Sequence, residues 1–300
     1  MRVRAGLRRR WRGLAASTVV VVVALVSLGW WFSRFPADGE PVAGTPFELA
    51  VQREVPAAEV DLVRTGLTAM DRYLRSEVGV SVDGPVQVRV SWSRGCRFYL
   101  GPQSVSTAWA DGPDFICLNA AHRRWRSSVE GHAYFPAYVA AHEHVHNLQA
   151  QLGCYRDTGD HEWQWLFEGT AVQLAFAALV DVGIVSADEV ELAVWEYRGL
   201  QVDNGTLRDY ERSSDAAGDA YGLFHLGARV LAERAESPAA FADFCRATGR
   251  DVPWRKAFAE HFGITVAELY DTVEAERVRL RPEYDCAEPP CRSAVPPAPE

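Results

Sequence analysis

Lysine is almost absent from this chain: Lys256 is the only one among 300 residues, beside 30 arginines. Such a bias is what a GC-rich genome produces, and it carries no functional meaning. Net positive charge is also lacking. The formal charge is −9, and seven of the 31 basic residues fall within the first 34 positions, where no acid occurs. The remainder holds 24 basic against 40 acidic residues, a balance of −16 with no basic stripe, which argues against a nucleic-acid partner. The six cysteines, Cys96, Cys117, Cys154, Cys245, Cys286 and Cys291, show no C-x-x-C spacing, so a cysteine zinc knuckle is disfavoured. No internal repeat appears, which excludes solenoid architectures.

What the chain does have begins at its N-terminus. Arg2, Arg4, Arg8, Arg9, Arg10 and Arg12 precede an uncharged apolar run over 13–32. About 20 such residues suffice to span a bilayer as a helix. A basic flank on the cytoplasmic side sets the orientation, and Trp30 and Trp31 suit the interface. The expectation is therefore a cytoplasmic segment over 1–12, a transmembrane signal-anchor over 13–32 and a cell-membrane protein whose C-terminal domain lies outside the cytoplasm. A cleaved signal peptide, with Ser27 and Gly29 before the cut, is the alternative. All six cysteines follow the apolar run, and an even count on an oxidising side favours disulfides. Six allow fifteen pairings; Cys96–Cys117 across a sheet is the pair we expect.

Residues 33–56 hold Pro36, Gly39, Pro41, Gly44 and Pro46 without periodicity and read as a linker. A domain over 57–281 follows. Val60, Val63, Leu67, Met70 and Leu74 recur at helical spacing. Gln87-Val-Arg-Val-Ser-Trp92 alternates as a strand, and 97–100 and 115–118 are further short strands. Beyond them the chain reads as helical. Ser186-Ala-Asp-Glu189 and Thr265-Val-Ala-Glu268 are capping boxes. Residues 282–300 form a proline-rich tail. The fold class expected is α+β: a mostly helical domain with a small N-terminal sheet, preceded by one transmembrane helix.

The chemistry concentrates in His142-Glu143-His-Val-His146. At roughly 100° per residue, positions 142 and 146 lie about 40° apart on a helix, so two neutral imidazoles can grip one zinc ion. Glu143 can then reach a water on that metal. Ala141, Val145, Leu148 and Leu152 form an apolar stripe beside the two histidines, which places them at the edge of the core with Glu143 facing open space. Pro136 suits the first turn of this helix and Gly153 its stop. His144 falls on the opposite side and reads as structural or solvent-exposed.

A catalytic zinc usually takes three protein ligands. No histidine follows shortly after His146, where Asn147, Leu148, Gln149 and Ala150 stand. Glu168 is the better candidate, because Trp165, Leu166, Phe167, Ala171, Val172 and Ala175 surround it with apolar groups, where an ionised carboxylate needs a partner. Asp157, Asp160, His161 and Glu162 are competing ligands in the intervening loop.

His142-Glu143-x-x-His146 followed by Trp165-Leu-Phe-Glu168-Gly-Thr-Ala resembles the gluzincin zinc metallopeptidases, and within them the peptidase MA-like group. The runs from Ala220 and from Trp254 are similar to that group's later helices, and the likeness extends over about 57–281. The resemblance implies a thermolysin-like catalytic domain in which His142, His146 and Glu168 bind Zn2+. Glu143 would be the general base, and Tyr221, or His225 one turn later, would donate to the oxyanion. It implies a peptide or protein substrate that pairs with an edge strand, for which 115–119 is the candidate. It also implies an aspartate one turn after the ligand glutamate; Val172 stands there, so the group orienting the first histidine must come from elsewhere, Asp160 or Glu162. A non-catalytic cell-surface binding domain and a zinc hydrolase of cell-wall amides are the alternatives. The sequence fixes no oligomeric state.

Overall fold

Apolar residues at alternating and at helical spacing build two layers, a small sheet and a set of helices packed on one face of it. The computed structural model describes residues 39–92, 107–154, 162–196, 205–211, 220–235 and 237–284. Its sheet contains β1 (Glu40–Pro41), β2 (Phe47–Val51), β3 (Val86–Ser91), β4 (Ala108–Ala110) and β5 (Phe115–Asn119) in the spatial order β1-β2-β3-β5-β4. The central pairs β2/β3 and β3/β5 are parallel, while β1 and β4 run antiparallel at the two edges. The sheet is larger than the sequence pattern suggested. Both β1 and β2 fall in the stretch expected to be a linker, yet Phe47 and Leu49 are each only 1% exposed. Prolines and glycines around β2 hid an alternation too short to stand out.

Helix α1 (Ala57–Tyr73) crosses from β2 to β3 and presents Val63, Leu67 and Met70 to the core, all fully buried. After α2 (Arg123–Gly131) comes α3 (Phe135–Gln151), which carries the His142–His146 pair, and then α4 (Gln164–Asp181), which carries Glu168. Pro136 sits in the first turn of α3, and Gly153 ends it at φ +81°, in the left-handed region a glycine adopts without strain. Further along lie α5 (Ala187–Glu196), a 3₁₀ turn at Leu207–Tyr210, α6 (Tyr221–Arg234), α7 (Ala239–Gly249), α8 (Trp254–Phe262) and α9 (Val266–Tyr284). Both expected capping boxes form: Ser186 N–H donates to Glu189 Oε2 at 2.7 Å, and Thr265 N–H donates to Glu268 Oε2 at 2.7 Å.

The helices α3 and α4 pack on each other, with α1 covering both and α6 covering α4. They are buried nearly all round because the sheet and the neighbouring helices cover them. This corrects the transmembrane expectation. No helix among the described residues is long and apolar enough to cross a membrane, and the most apolar ones are covered by other helices of the same domain. Residues 13–32, on which the signal-anchor rested, lie outside the described residues. Among the described residues the architecture is thus α+β without a membrane-spanning helix, so the transmembrane helix and the single-pass, cell-membrane location deduced from it are not supported.

A disulfide between Cys154 and Cys245 ties the end of α3 to α7 across 91 residues of sequence. Cys117 is also disulfide-bonded; Cys96, its expected partner, lies outside the described residues, as do Cys286, Cys291, the expected strand over 97–100 and the tail from 285. Arg229 on α6 donates to Glu191 at 2.5 Å and lies 3.6 Å from Glu276, linking α5, α6 and α9.

Candidate metal centre

Helix periodicity sets the first two site residues side by side. His142 Nε2 and His146 Nε2 face each other at 3.0 Å on neighbouring turns of α3. The third group arrives from α4, where Glu168 Oε2 stands 3.3 Å from the first ring nitrogen and 3.4 Å from the second. These atoms form one group within metal-ligating distance. A tetrahedral zinc with bonds of ~2.0–2.1 Å holds its ligand atoms about 3.3 Å apart, so the triangle has the size of one face of such a site. The chemistry of the donors agrees. His142 and Glu143 are each 7% exposed, and the buried Glu168 Oε2 has no aligned hydrogen-bond donor among the described residues. A buried carboxylate oxygen facing two ring nitrogens is what a divalent cation would satisfy.

The electrostatics follow from that crowding. Burial alone would raise the Glu168 carboxyl, but the imidazoles of His146 and His142 outweigh it and hold it well below the usual range. Burial likewise pushes His146 down, yet the negative Glu168, and behind it Glu143 and Gln149, lift it to about 9. The carboxylate of Glu168 thus favours positive charge on the ring it faces, as it would favour a cation. Glu143 moves in the other direction: burial raises its carboxyl, against the lowering influence of the two histidines and of a backbone hydrogen bond from Ala110.

Glu143 belongs to the same cleft. A hollow of ≈ 210 Å³ is lined by His142, Glu143, His146 and Glu168, by β4, and by Phe167 and Tyr221. The space Glu143 faces is thus narrow. Tyr221 opens α6 and brings its ring to 6.1 Å from that of His142. His225 does not reach the cleft. One turn further along α6 is about 5–6 Å along the axis, and there its ring meets Phe176 at 5.9 Å, is 3% exposed, and burial drops it to about 3. His144 is buried completely, edge-on to Phe47 with centroids 4.7 Å apart, and burial lowers it to about 3. It fills the α3–sheet interface and is structural, not solvent-exposed.

Neither a protein-family model nor a curated protein matches this chain.

Two parts of the site were not foreseen. The strand beside the cleft is β4, at the edge of the sheet, whereas Phe115–Asn119, the expected edge, is an interior strand buried throughout. Three residues, Ala-Trp-Ala, are too few to show alternation. Asn147 of α3 fixes the position of this edge, donating to Gly112 O at 2.8 Å and to Phe115 O at 3.3 Å. The second part is Gln149, whose Oε1 lies 2.7 Å from His146 Nδ1. Of the groups expected to orient a histidine, Glu162 instead accepts from Trp254 Nε1 at 2.9 Å, and Asp160 lies outside the described residues, as do Asp157 and His161. A polar residue three positions after a ligand histidine shares its helix face, which is the signal that would have revealed Gln149.

The approach of α6 to α4 leaves no room for a side chain at Gly169, directly behind Glu168. A Cβ on Gly169 would lie 2.2 Å from Phe224 O. Gly169→Ala is expected to force these backbones apart, costing about 3 kcal/mol or more and loosening the Glu168–Tyr221 side of the cleft. Chemical denaturation checks this, and an unchanged midpoint would contradict the packing described.

Proposed function

We propose that this protein is a zinc-dependent peptidase of the gluzincin kind, hydrolysing peptide bonds in its β4-edged cleft. The observation that carries this reading is the placement of Glu143: a buried carboxylate in one cleft with a His142–His146–Glu168 triangle of the right size for zinc. Zinc, when bound, supplies Lewis acidity that polarises a carbonyl and acidifies water.

The protein's own groups do the rest. Glu143 takes a proton from the attacking water and later delivers it to the departing amine. Its raised pKa suits the first task, because a carboxylate poised nearer neutrality is a stronger base toward water than an exposed one, and the amine that leaves is basic enough to take the proton back. The Ala110 N–H steadies that carboxylate from the strand beside it. Tyr221, which opens α6 and lines the cleft, donates its hydroxyl proton in this reading to the oxygen that gains negative charge. Strand β4 borders the cleft with Ala108, Trp109 and Ala110, along the path a peptide would take. Trp109 and Phe167 give the cleft apolar walls for side chains of that peptide.

The test is to incubate the full chain, loaded with zinc, with a mixed peptide library and read the products by mass spectrometry. New internal or terminal cleavages should appear, vanish with a chelator and return with zinc. Zinc uptake with no cleavage of any peptide would overturn the proposed activity while leaving the metal centre intact.

A further inference from the structure

We propose that Gln149 is the positioning residue of the metal centre, and that the main-chain carbonyl of Phe167 dictates which way it faces. This inference rests on the zinc reading above and goes beyond it, because it names what prepares His146 to be a ligand.

A glutamine side chain has two different ends, an oxygen that only accepts and an NH₂ that only donates. Gln149 is 3% exposed, and both its ends are engaged. Its Nε2 donates to Phe167 O at 3.0 Å, and its Oε1 lies 2.7 Å from His146 Nδ1. A carbonyl oxygen can only accept, so Phe167 O forces the NH₂ to its own side. The Oε1 must then face the ring, and it can bind Nδ1 only if that nitrogen carries the proton. In the neutral imidazole this leaves Nε2 with its lone pair exposed, and Nε2 is the atom that faces His142 and Glu168. Ligand histidines commonly have their other ring nitrogen tied down in this manner.

The same amide joins the two ligand-bearing helices. Gln149 and His146 belong to α3, while Phe167 directly precedes Glu168 on α4. The ring of Phe167 also stacks on that of His146, with centroids 4.6 Å apart and planes 13° from parallel. His146 is therefore held on one face by an aromatic ring and at Nδ1 by an amide, both set by Phe167. His142 has no counterpart: its Nδ1 is buried without a hydrogen-bond partner among the described residues. Orientation of the histidine pair thus rests on the Gln149–His146 side.

Two measurements on the full chain test this. The first is Zn2+ affinity by competition with a chromophoric chelator, for the parent, Gln149→Leu and Gln149→Glu, with folding checked by circular dichroism. Leu keeps the bulk and removes both hydrogen bonds, and should bind zinc about 10- to 100-fold more weakly. Glu restores an acceptor for Nδ1–H and should bind at least about tenfold more tightly than Leu. Equal affinity in Gln149→Leu and the parent would overturn the proposal, as would equal weakening in both variants, which marks a merely structural amide. The second is the 15N signature of His146 in the zinc-loaded parent, which needs no variant to fold. A protonated Nδ1 with metal on Nε2 supports the proposal, and metal on Nδ1 overturns it. A parent that takes up no zinc at all refutes the metal centre itself, a different outcome from a parent that binds zinc independently of Gln149.

Discussion

Replacing Glu143 by glutamine should abolish turnover while leaving the metal site filled. The amide keeps the size of the side chain and an oxygen to accept the Ala110 N–H, so the local geometry survives. It cannot take a proton from water. General acid–base groups contribute about 10²- to 10⁴-fold, and Glu143 would serve both as base and, later, as acid, so kcat/KM should fall by the upper part of that range. Zinc content should match the parent, and stability should not drop, because the variant replaces a desolvated ionisable group with a neutral one. Elemental analysis beside peptide kinetics decides the matter. Activity within threefold of the parent would remove Glu143 from the chemistry.

The second large effect is a pair of pH dependences of opposite sign, one in the stability of the metal-free protein and one in its affinity for zinc. His146 titrates near 9 in the folded metal-free chain against an ordinary 6.5, after Glu168 and its neighbours overcome the effect of burial. Its folded pKa is raised, so the stability it contributes is fully present below about 6.5 and is lost as pH climbs through 9. Glu168 shifts downward, and its contribution stays constant across that window. The metal-free protein should therefore melt at lower temperature at pH 9 than at pH 6.5. Zinc must displace the His146 proton, so its apparent affinity should rise over the same interval, by up to about tenfold per pH unit. The increase in Tm produced by zinc should grow accordingly. Thermal scans with and without zinc at several pH values test both halves, and His146→Ala should flatten the zinc effect. A zinc-induced shift of the same size at pH 6.5 and pH 9 would contradict a protonated His146 at the heart of the site.

How much of this was legible beforehand differs from residue to residue. The i, i+4 relation of His142 and His146 is a property of one helix, so their convergence could be read directly from the sequence. Glu168 was legible for another reason, the cost of an unpaired carboxylate among Trp165, Leu166 and Phe167. The capping boxes at Ser186 and Thr265 are local hydrogen-bond patterns and formed as written. Tyr221 and His225 share a face of α6, yet only Tyr221 lines the cleft. Helical phase could not separate them, because the difference is translation along the axis and the position of Phe176 on another helix. The strands β1, β2 and β4 are too short for periodicity to declare, and their sheet is made by pairing over long sequence distances. The apolar run over 13–32 suggested a membrane span from composition alone, and no helix among the described residues meets that criterion.

The amino-acid sequence by itself determined the two-histidine helix, the glutamate between them and the second helix bearing a carboxylate in apolar surroundings, because each depends on spacing within one segment. Only the tertiary structure decided that β4 borders the cleft, that His225 turns into the core, and that Phe167 O aims Gln149 at His146. Those outcomes depend on which surfaces meet when α3, α4 and α6 pack, and packing joins residues whose separation along the chain carries no periodic trace.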